Sequence, residues 1–210
     1  MKHLLIIGAR GFGREVYDLA MDCIKAGANF DIKGFLDDKK DALDGLGVYP
    51  PIVSSVEDYI VQENDIFTCG LGVPEWRRFY TEMILAKGGQ FVTLISPKAI
   101  IRRNAHIGNG CIITHGSKIS VDTYIANHAA ILGSDLGHDV HVGKYTVLSG
   151  GVALNGYVEI GDEVYIGCRA MVAPHKKIGD KAFIGIGSVV ISNVKTRTKV
   201  FGNPAKKIDF

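Results

Sequence analysis

From Ile101 to Val190 the chain returns a bulky aliphatic residue at every sixth position, a period that few folds tolerate. The series runs Ile101, Ile107, Ile113, Ile119, Ile125 and Ile131. After a single step of five it continues through Leu136, Val142, Leu148, Leu154, Ile160, Ile166, Val172, Ile178, Ile184 and Val190. Glycine follows several of them, as in Ile107-Gly108, Val142-Gly143 and Ile166-Gly167. A helix repeats near 3.6 residues and a half-buried strand near 2, so neither produces this pattern. A parallel β-helix does, because each short strand turns one aliphatic side chain inward and a small residue lets the chain turn. Residues 96–210 are therefore expected to form a β-helix of hexapeptide repeats.

Charge and cysteine usage narrow the setting. With a net charge of +2, the chain gives no basis for a broad nucleic-acid surface, and no apolar run is long enough to insert in a membrane. The opening Met1-Lys2-His3-Leu4-Leu5-Ile6-Ile7-Gly8 reads as a first strand and not as a signal peptide. Cys23, Cys69, Cys111 and Cys168 are scattered without a CxxC pair, which suits free thiols in a reducing compartment. A cytoplasmic protein is expected.

Residues 1–95 have a different texture. Short apolar runs at 4–7, 32–36, 66–69 and 91–95 read as four strands. Between them, Val16, Leu19, Ala20, Cys23 and Ile24, and later Trp76, Phe79, Tyr80, Met83 and Ile84, mark the stripes of two amphipathic helices. Ser54-Ser55-Val56-Glu57 resembles a capping box that would open a third, short helix. Alternating strands and helices predict a small α/β domain with a parallel, Rossmann-like sheet, and Ser96-Pro97 marks its end.

Gly8-Ala9-Arg10-Gly11-Phe12-Gly13 joins the first strand to the first helix. Such a turn can cradle phosphate on exposed N–H groups, or simply pack a helix tightly on a strand. Four strands supply only one mononucleotide-binding half, so a nucleotide-sugar suits this domain better than NAD. Asp37 and Asp38 end the second strand, where a carboxylate can meet a ribose or base; an acidic turn facing water is the other reading.

The clearest break in the repeat is Gly133-Ser134-Asp135-Leu136-Gly137-His138-Asp139, where one hexad is a residue short. His138 is expected to face outward with Asp139 beside it. Imidazole titrates near neutrality and a neighbouring carboxylate favours its taking up a proton, which suits general-base work. A surface histidine in a polar turn is the alternative. His106, His115, His128, His141 and His175 raise the question of a metal, since related β-helices include zinc-dependent carbonic anhydrases. Those place two ligands five residues apart, and no histidine pair here has that spacing, so no metal is expected. Lys176, Lys177, Lys195, Arg197, Lys199, Lys206 and Lys207 make the end of the chain basic, as a steering surface for phosphates or as a solvated tail.

On these motifs the sequence resembles the hexapeptide-repeat acyltransferases, specifically the bacterial sugar-nucleotide N-acetyltransferases and sialic acid O-acetyltransferases. The likeness runs through residues 8–13, Phe35-Leu36-Asp37-Asp38, residues 72–77, Gly137-His138-Asp139-Val140 and Gly202-Asn203-Pro204-Ala205. It implies a left-handed β-helix and a homotrimer with active sites between subunits. It also implies His138 as general base and Asp139 as the acid that makes it more basic. The same resemblance puts Arg10, Gly11, Phe12, Asp37, Asp38, Gly72 and Glu75 on the nucleotide-linked amino-sugar, and Cys168 and Ile186 on acetyl-CoA. Two positions depart from the family: Val147 stands where a second histidine often assists, and Phe12 replaces a frequent histidine. The expected activity is direct acetyl transfer to the amino group of a nucleotide-activated sugar in bacterial surface-glycan biosynthesis. O-acetylation of a sugar hydroxyl and a non-catalytic trimeric sugar-nucleotide-binding subunit are the alternatives.

Overall fold

The structure, a computed structural model, describes residues 1–208. The chain opens with β1 (Lys2–Ile7), α1 (Gly11–Lys25), β2 (Phe30–Leu36), β3 (Ile52–Ser54), β4 (Asp65–Cys69), α2 (Pro74–Ala86) and β5 (Gln90–Phe91). The strands lie in the order β3-β2-β1-β4-β5 and every pairing is parallel. Leu4, Leu5, Ile6 and Ile7 are all buried, as a continuous apolar run in a sheet covered on both faces requires. The α1 stripe is confirmed, with Val16, Leu19, Ala20 and Cys23 turned inward.

Three local expectations are corrected. The sheet has a further edge strand, β3, which is three residues long and follows Pro50-Pro51, too short to show alternation. No helix opens at Ser54; the Ser55 hydroxyl accepts the Asp58 N–H at 3.0 Å and closes a turn. The strand expected over 91–95 is divided. β5 completes the α/β sheet, whereas β6 (Leu94–Ile95) pairs with Ile112 and Ile113 and starts the β-helix.

From there the hexad pattern is realised strand by strand. Each aliphatic of the series is the second residue of a two-residue strand, from Ile100–Ile101 to Val189–Val190. Among the described residues these strands, with β6 and two further strands at Lys199–Phe201 and Lys206–Lys207, form three sheets, of six, five and eight strands. Partners lie eighteen residues apart, as in Val142↔Ile160, seventeen apart across the short hexad, as in Ile119↔Leu136, and sixteen apart in the last coil, as in Ile184↔Val200. The inward side chains make one continuous core. Burying each Ile, Leu or Val contributes roughly 1.5–3 kcal/mol. Three residues before most of these aliphatics the backbone turns left-handed, at Asp122 (φ 56), Asp139 (φ 57), Tyr157 (φ 61) and His175 (φ 61) among others.

The α/β domain packs on the outer face of the eight-stranded sheet. Leu94, Ile112, Ala130 and Val147, outward residues of successive strands, share a core with Leu4, Ile6, Val16 and Leu19. One face of the β-helix is therefore apolar on both sides.

Candidate active site

The first candidate site is a cleft of about 640 Å³ at the carboxyl ends of β1, β2 and β4. Sheet order reverses direction at β1, between β2 and β4, and ligands of open parallel sheets bind at such a reversal. Arg10, Asp37, Asp38 and Gly72, all expected as site residues, line it together. Gly11, Phe12 and Glu75 are not among its lining residues. Gly11 begins α1, the Phe12 ring packs into the domain core, and Glu75 is exposed in the first turn of α2. Sequence reasoning missed Lys39, Leu71, Trp76 and Tyr80, which complete the walls. Trp76 and Tyr80 read as helix stripe; the extra signal was their polar edges, which a fully buried stripe has little use for.

The two acids at the end of β2 differ in their duties. Asp37 accepts the Ala9 N–H at 2.8 Å and the Lys39 N–H at 2.9 Å, so its carboxylate shapes the glycine turn. Asp38 accepts the Tyr80 hydroxyl at 2.8 Å. That bond, ahead of partial burial, pushes the Tyr80 phenol up to about 12. The turn itself needs its glycines: Gly8 has φ 89, and a Cβ on Gly13 would lie 1.8 Å from Gly8 O. The N-cap of α1, Arg10, makes no side-chain cap and the first turn carries no acid, which leaves the first N–H groups of the helix without a side-chain partner at the glycine turn.

The second candidate site is the corner after Leu136. The short step of the repeat lies just before it, between Ile131 and Leu136, while this corner keeps the ordinary length. Asp139 takes the left-handed turn position, which throws its side chain beside the preceding imidazole. His138 Nδ1 lies 2.8 Å from Asp139 Oδ2. An ionised carboxylate only accepts, so Nδ1 carries the proton and Nε2 keeps its lone pair free for another group. The imidazole side chain is 53% exposed. It rests against Gly156, where a Cβ would come within 2.6 Å of Cε1, and against the edge-on ring of Tyr157 at 5.1 Å. Both neighbours were legible in the repeat, since they lie eighteen residues beyond His138 and Asp139. The Tyr157 ring in turn stacks on His175 at 4.8 Å. A shallow groove on the outer six-stranded sheet reaches His138 past Arg102, Lys118, Ser120 and Asn155.

The third is an apolar groove of about 450 Å³ near the end of the β-helix. It unites Cys168 and Ile186 with Tyr165, Phe183 and Phe201, and both expected residues are exposed. These residues sit at the corner between the eight- and six-stranded sheets, whereas His138 sits between the six- and five-stranded sheets. One chain therefore does not bring the imidazole and the groove together. Val147 is on neither corner; it is buried in the interdomain core, so its side chain is unavailable to a ligand. Cys23, Cys69, Cys111 and Cys168 are free thiols. Among the described residues no group of three His, Cys, Asp or Glu side chains has a metal-binding arrangement, and no helix is long and apolar enough to cross a membrane.

A hexapeptide β-helix with an outward imidazole–carboxylate pair, joined to a mononucleotide-type lobe, defines a hexapeptide-repeat acyltransferase. Residues 3–84 match the PglD N-terminal domain and residues 90–185 match the GMPPB C-terminal domain. Over 173 residues the chain is 32% identical to the GDP-perosamine N-acetyltransferase of Escherichia coli O157:H7, covering 80% of this chain and 76% of that protein. The acetyltransferase domain of PglB from Neisseria gonorrhoeae FA1090, solved with acetyl coenzyme A, superposes with a TM-score of 0.88 at 26% identity, over 99% of each chain. PerB from Caulobacter crescentus, solved with CoA and GDP-perosamine, shares the fold with a TM-score of 0.89 at 23% identity, over 100% of this chain and 98% of that one. The chain belongs to the hexapeptide-repeat sugar-nucleotide acetyltransferase family.

Proposed function

We propose that this protein moves the acetyl group of acetyl-CoA onto the amino group of a nucleotide-linked amino-sugar, with a GDP-linked 4-amino sugar of the perosamine type as the first substrate to test. The observation that carries the chemistry is the half-exposed His138–Asp139 pair on the corner that follows the short step before Leu136. The amine nitrogen attacks the thioester carbonyl, a C–N bond forms, the C–S bond breaks and CoA leaves as its thiol. Nε2 of His138 takes the proton that the nitrogen sheds and passes it to the departing sulfur, and Asp139 holds the tautomer that allows it. Such a base contributes roughly 10²–10⁴-fold, and alignment of two bound substrates supplies much of the rest. No acyl-enzyme is required.

The cleft at the end of β1 holds the nucleotide. The α1 N-terminus and Arg10 face the diphosphate, and Trp76, Asp38 and Tyr80 face the nucleoside. The groove at Cys168 and Ile186 takes the pantetheine arm, for which an apolar trough is the right chemistry. Because that groove and His138 lie on different corners, the working unit is a homotrimer, in which one subunit's imidazole meets acetyl-CoA held against a neighbour. The setting is cytoplasmic synthesis of sugars for a bacterial surface glycan.

The test is release of CoA thiol from acetyl-CoA with GDP-perosamine, beside UDP-, CMP- and dTDP-linked amino-sugars. Turnover with an alkali-stable amide product is expected. An alkali-labile ester would replace N- with O-transfer, and nucleotide binding without thiol release would leave only a binding subunit.

A further inference from the structure

Arg77 is fully buried, yet among the described residues no carboxylate contacts its guanidinium. Its partners are backbone carbonyls from both halves of the molecule. Nε donates to His128 O at 2.5 Å and Nη1 donates to Cys69 O. Longer contacts reach Leu71 O at 3.4 Å and Gly110 O at 3.5 Å. Cys69 ends β4 and Leu71 lines the nucleotide cleft, whereas Gly110 and His128 are corner residues of successive β-helix coils. Burying an uncompensated cation is costly, and a planar fork of five donors is the one side chain that can join so many carbonyls.

The same helix carries the cleft on its other side, through Trp76 and Tyr80. One residue on, Arg78 pairs with Glu163 at 3.4 Å, and Lys181 reaches that carboxylate at 3.5 Å. Below them the Phe91 ring meets His128 edge-on at 5.0 Å. The helix that walls the cleft is thus gripped at corner positions from residue 110 to residue 163.

We propose that Arg77 is a positioning residue for acetyl transfer: by tying the nucleotide cleft to two coils of the β-helix, it sets where the acceptor amine is delivered relative to the transfer site. The inference rests on the acetyl-transfer reading above. It predicts an effect on turnover without a matching effect on nucleotide binding, because Arg77 itself does not line the cleft.

The experiment uses the full chain and two variants, Arg77→Lys and Glu163→Gln. Trp76 is the only tryptophan, so its fluorescence reports GDP binding directly, while thiol release with acetyl-CoA and GDP-perosamine gives kcat. A misplacement of about 1 Å costs on the order of 10²-fold, and that fall in kcat is expected for folded Arg77→Lys with GDP affinity unchanged. Glu163→Gln should lower kcat in the same direction by a smaller factor. Wild-type kcat in a folded Arg77→Lys, or a loss of GDP affinity in proportion to kcat, overturns the proposal. If Arg77→Lys does not fold, an unchanged kcat in Glu163→Gln overturns it instead. A wild-type chain that acetylates no amino-sugar nucleotide overturns the functional reading and this proposal with it, a result distinct from an unchanged variant.

Discussion

In the β-helix every coil solves the same packing problem: Ile160, Ile166, Val172 and Ile178 are buried in equivalent positions one strand apart. In the α/β domain no two buried residues are equivalent. Phe35 meets Tyr17 and Tyr49, while Phe67 meets Tyr59 and Phe91. The two halves accordingly place their sites by different rules. The repeat carries its imidazole–carboxylate pair on the corner that follows a break, the short step between Ile131 and Leu136. The open sheet gains a cleft where its strand order reverses, whatever the details of its core. Departure marks the site in a periodic structure, and topology marks it in an aperiodic one.

The largest effect should come from removing the group at the break. His138→Ala is expected to lower transfer by roughly 10²–10⁴-fold while Trp76 fluorescence still reports GDP binding. Retained activity would dissolve the link between the irregular coil and the chemistry.

A substitution inside the regular coils should do the opposite. Ile166→Ala removes a fully buried side chain and is expected to cost about 2–5 kcal/mol of stability. In a stack of nearest neighbours the damage should stay local, so hydrogen exchange should rise in the adjoining coils and not in the α/β sheet. Uniform loosening would mean that the two halves behave as one unit.

The junction between them should be sensitive to acid. Burial lowers His128 to about 4, ahead of the nearby Arg77 charge. Below the ordinary histidine value of about 6.5 the unfolded state takes a proton that the folded state refuses, so the unfolded state binds more protons. Stability should therefore fall as pH drops from about 6.5 to about 4, by up to roughly 3 kcal/mol. Thermal unfolding of wild type and His128→Phe across that window checks it; the variant should lose this part of the slope.

The smallest effect probes the fit of the imidazole to the coil beneath it. Gly156→Ala places a Cβ 2.6 Å from His138 Cε1 and forces the ring to shift. About a tenfold loss of kcat is expected, with little change in melting temperature. An unchanged kcat would show that the ring position is not critical.

The repeat was legible because a β-helix imposes one rule on each side chain, inward or outward, and the inward rule has a fixed period. It also gave the neighbours of His138, since residues eighteen apart stack. The first helix was legible for the same reason at a different period. The second was placed correctly but its buried face was not, since Pro74, Arg77, Thr81 and Ile84 turn inward while Trp76 and Phe79 are exposed. What escaped were features without a period. β3 is too short to alternate, Ser55 caps a turn in place of a helix, and the strand expected over 91–95 is shared between two sheets. Val147 shows the limit well. Its register was visible, but its burial depends on which face of the β-helix the first domain covers.

Sequence alone determined the β-helix, the parallel lobe before it and the coil at which the pattern slips, because these follow from local spacing between neighbouring turns. Only the tertiary structure decided that Trp76 and Tyr80 join Arg10 and Asp38 in one cleft, that Arg77 reaches from the helix behind that cleft into two coils, and that Cys168 and His138 lie on different corners. Those are contacts between segments far apart in the chain, fixed by how two surfaces dock, and no periodicity along the chain encodes docking.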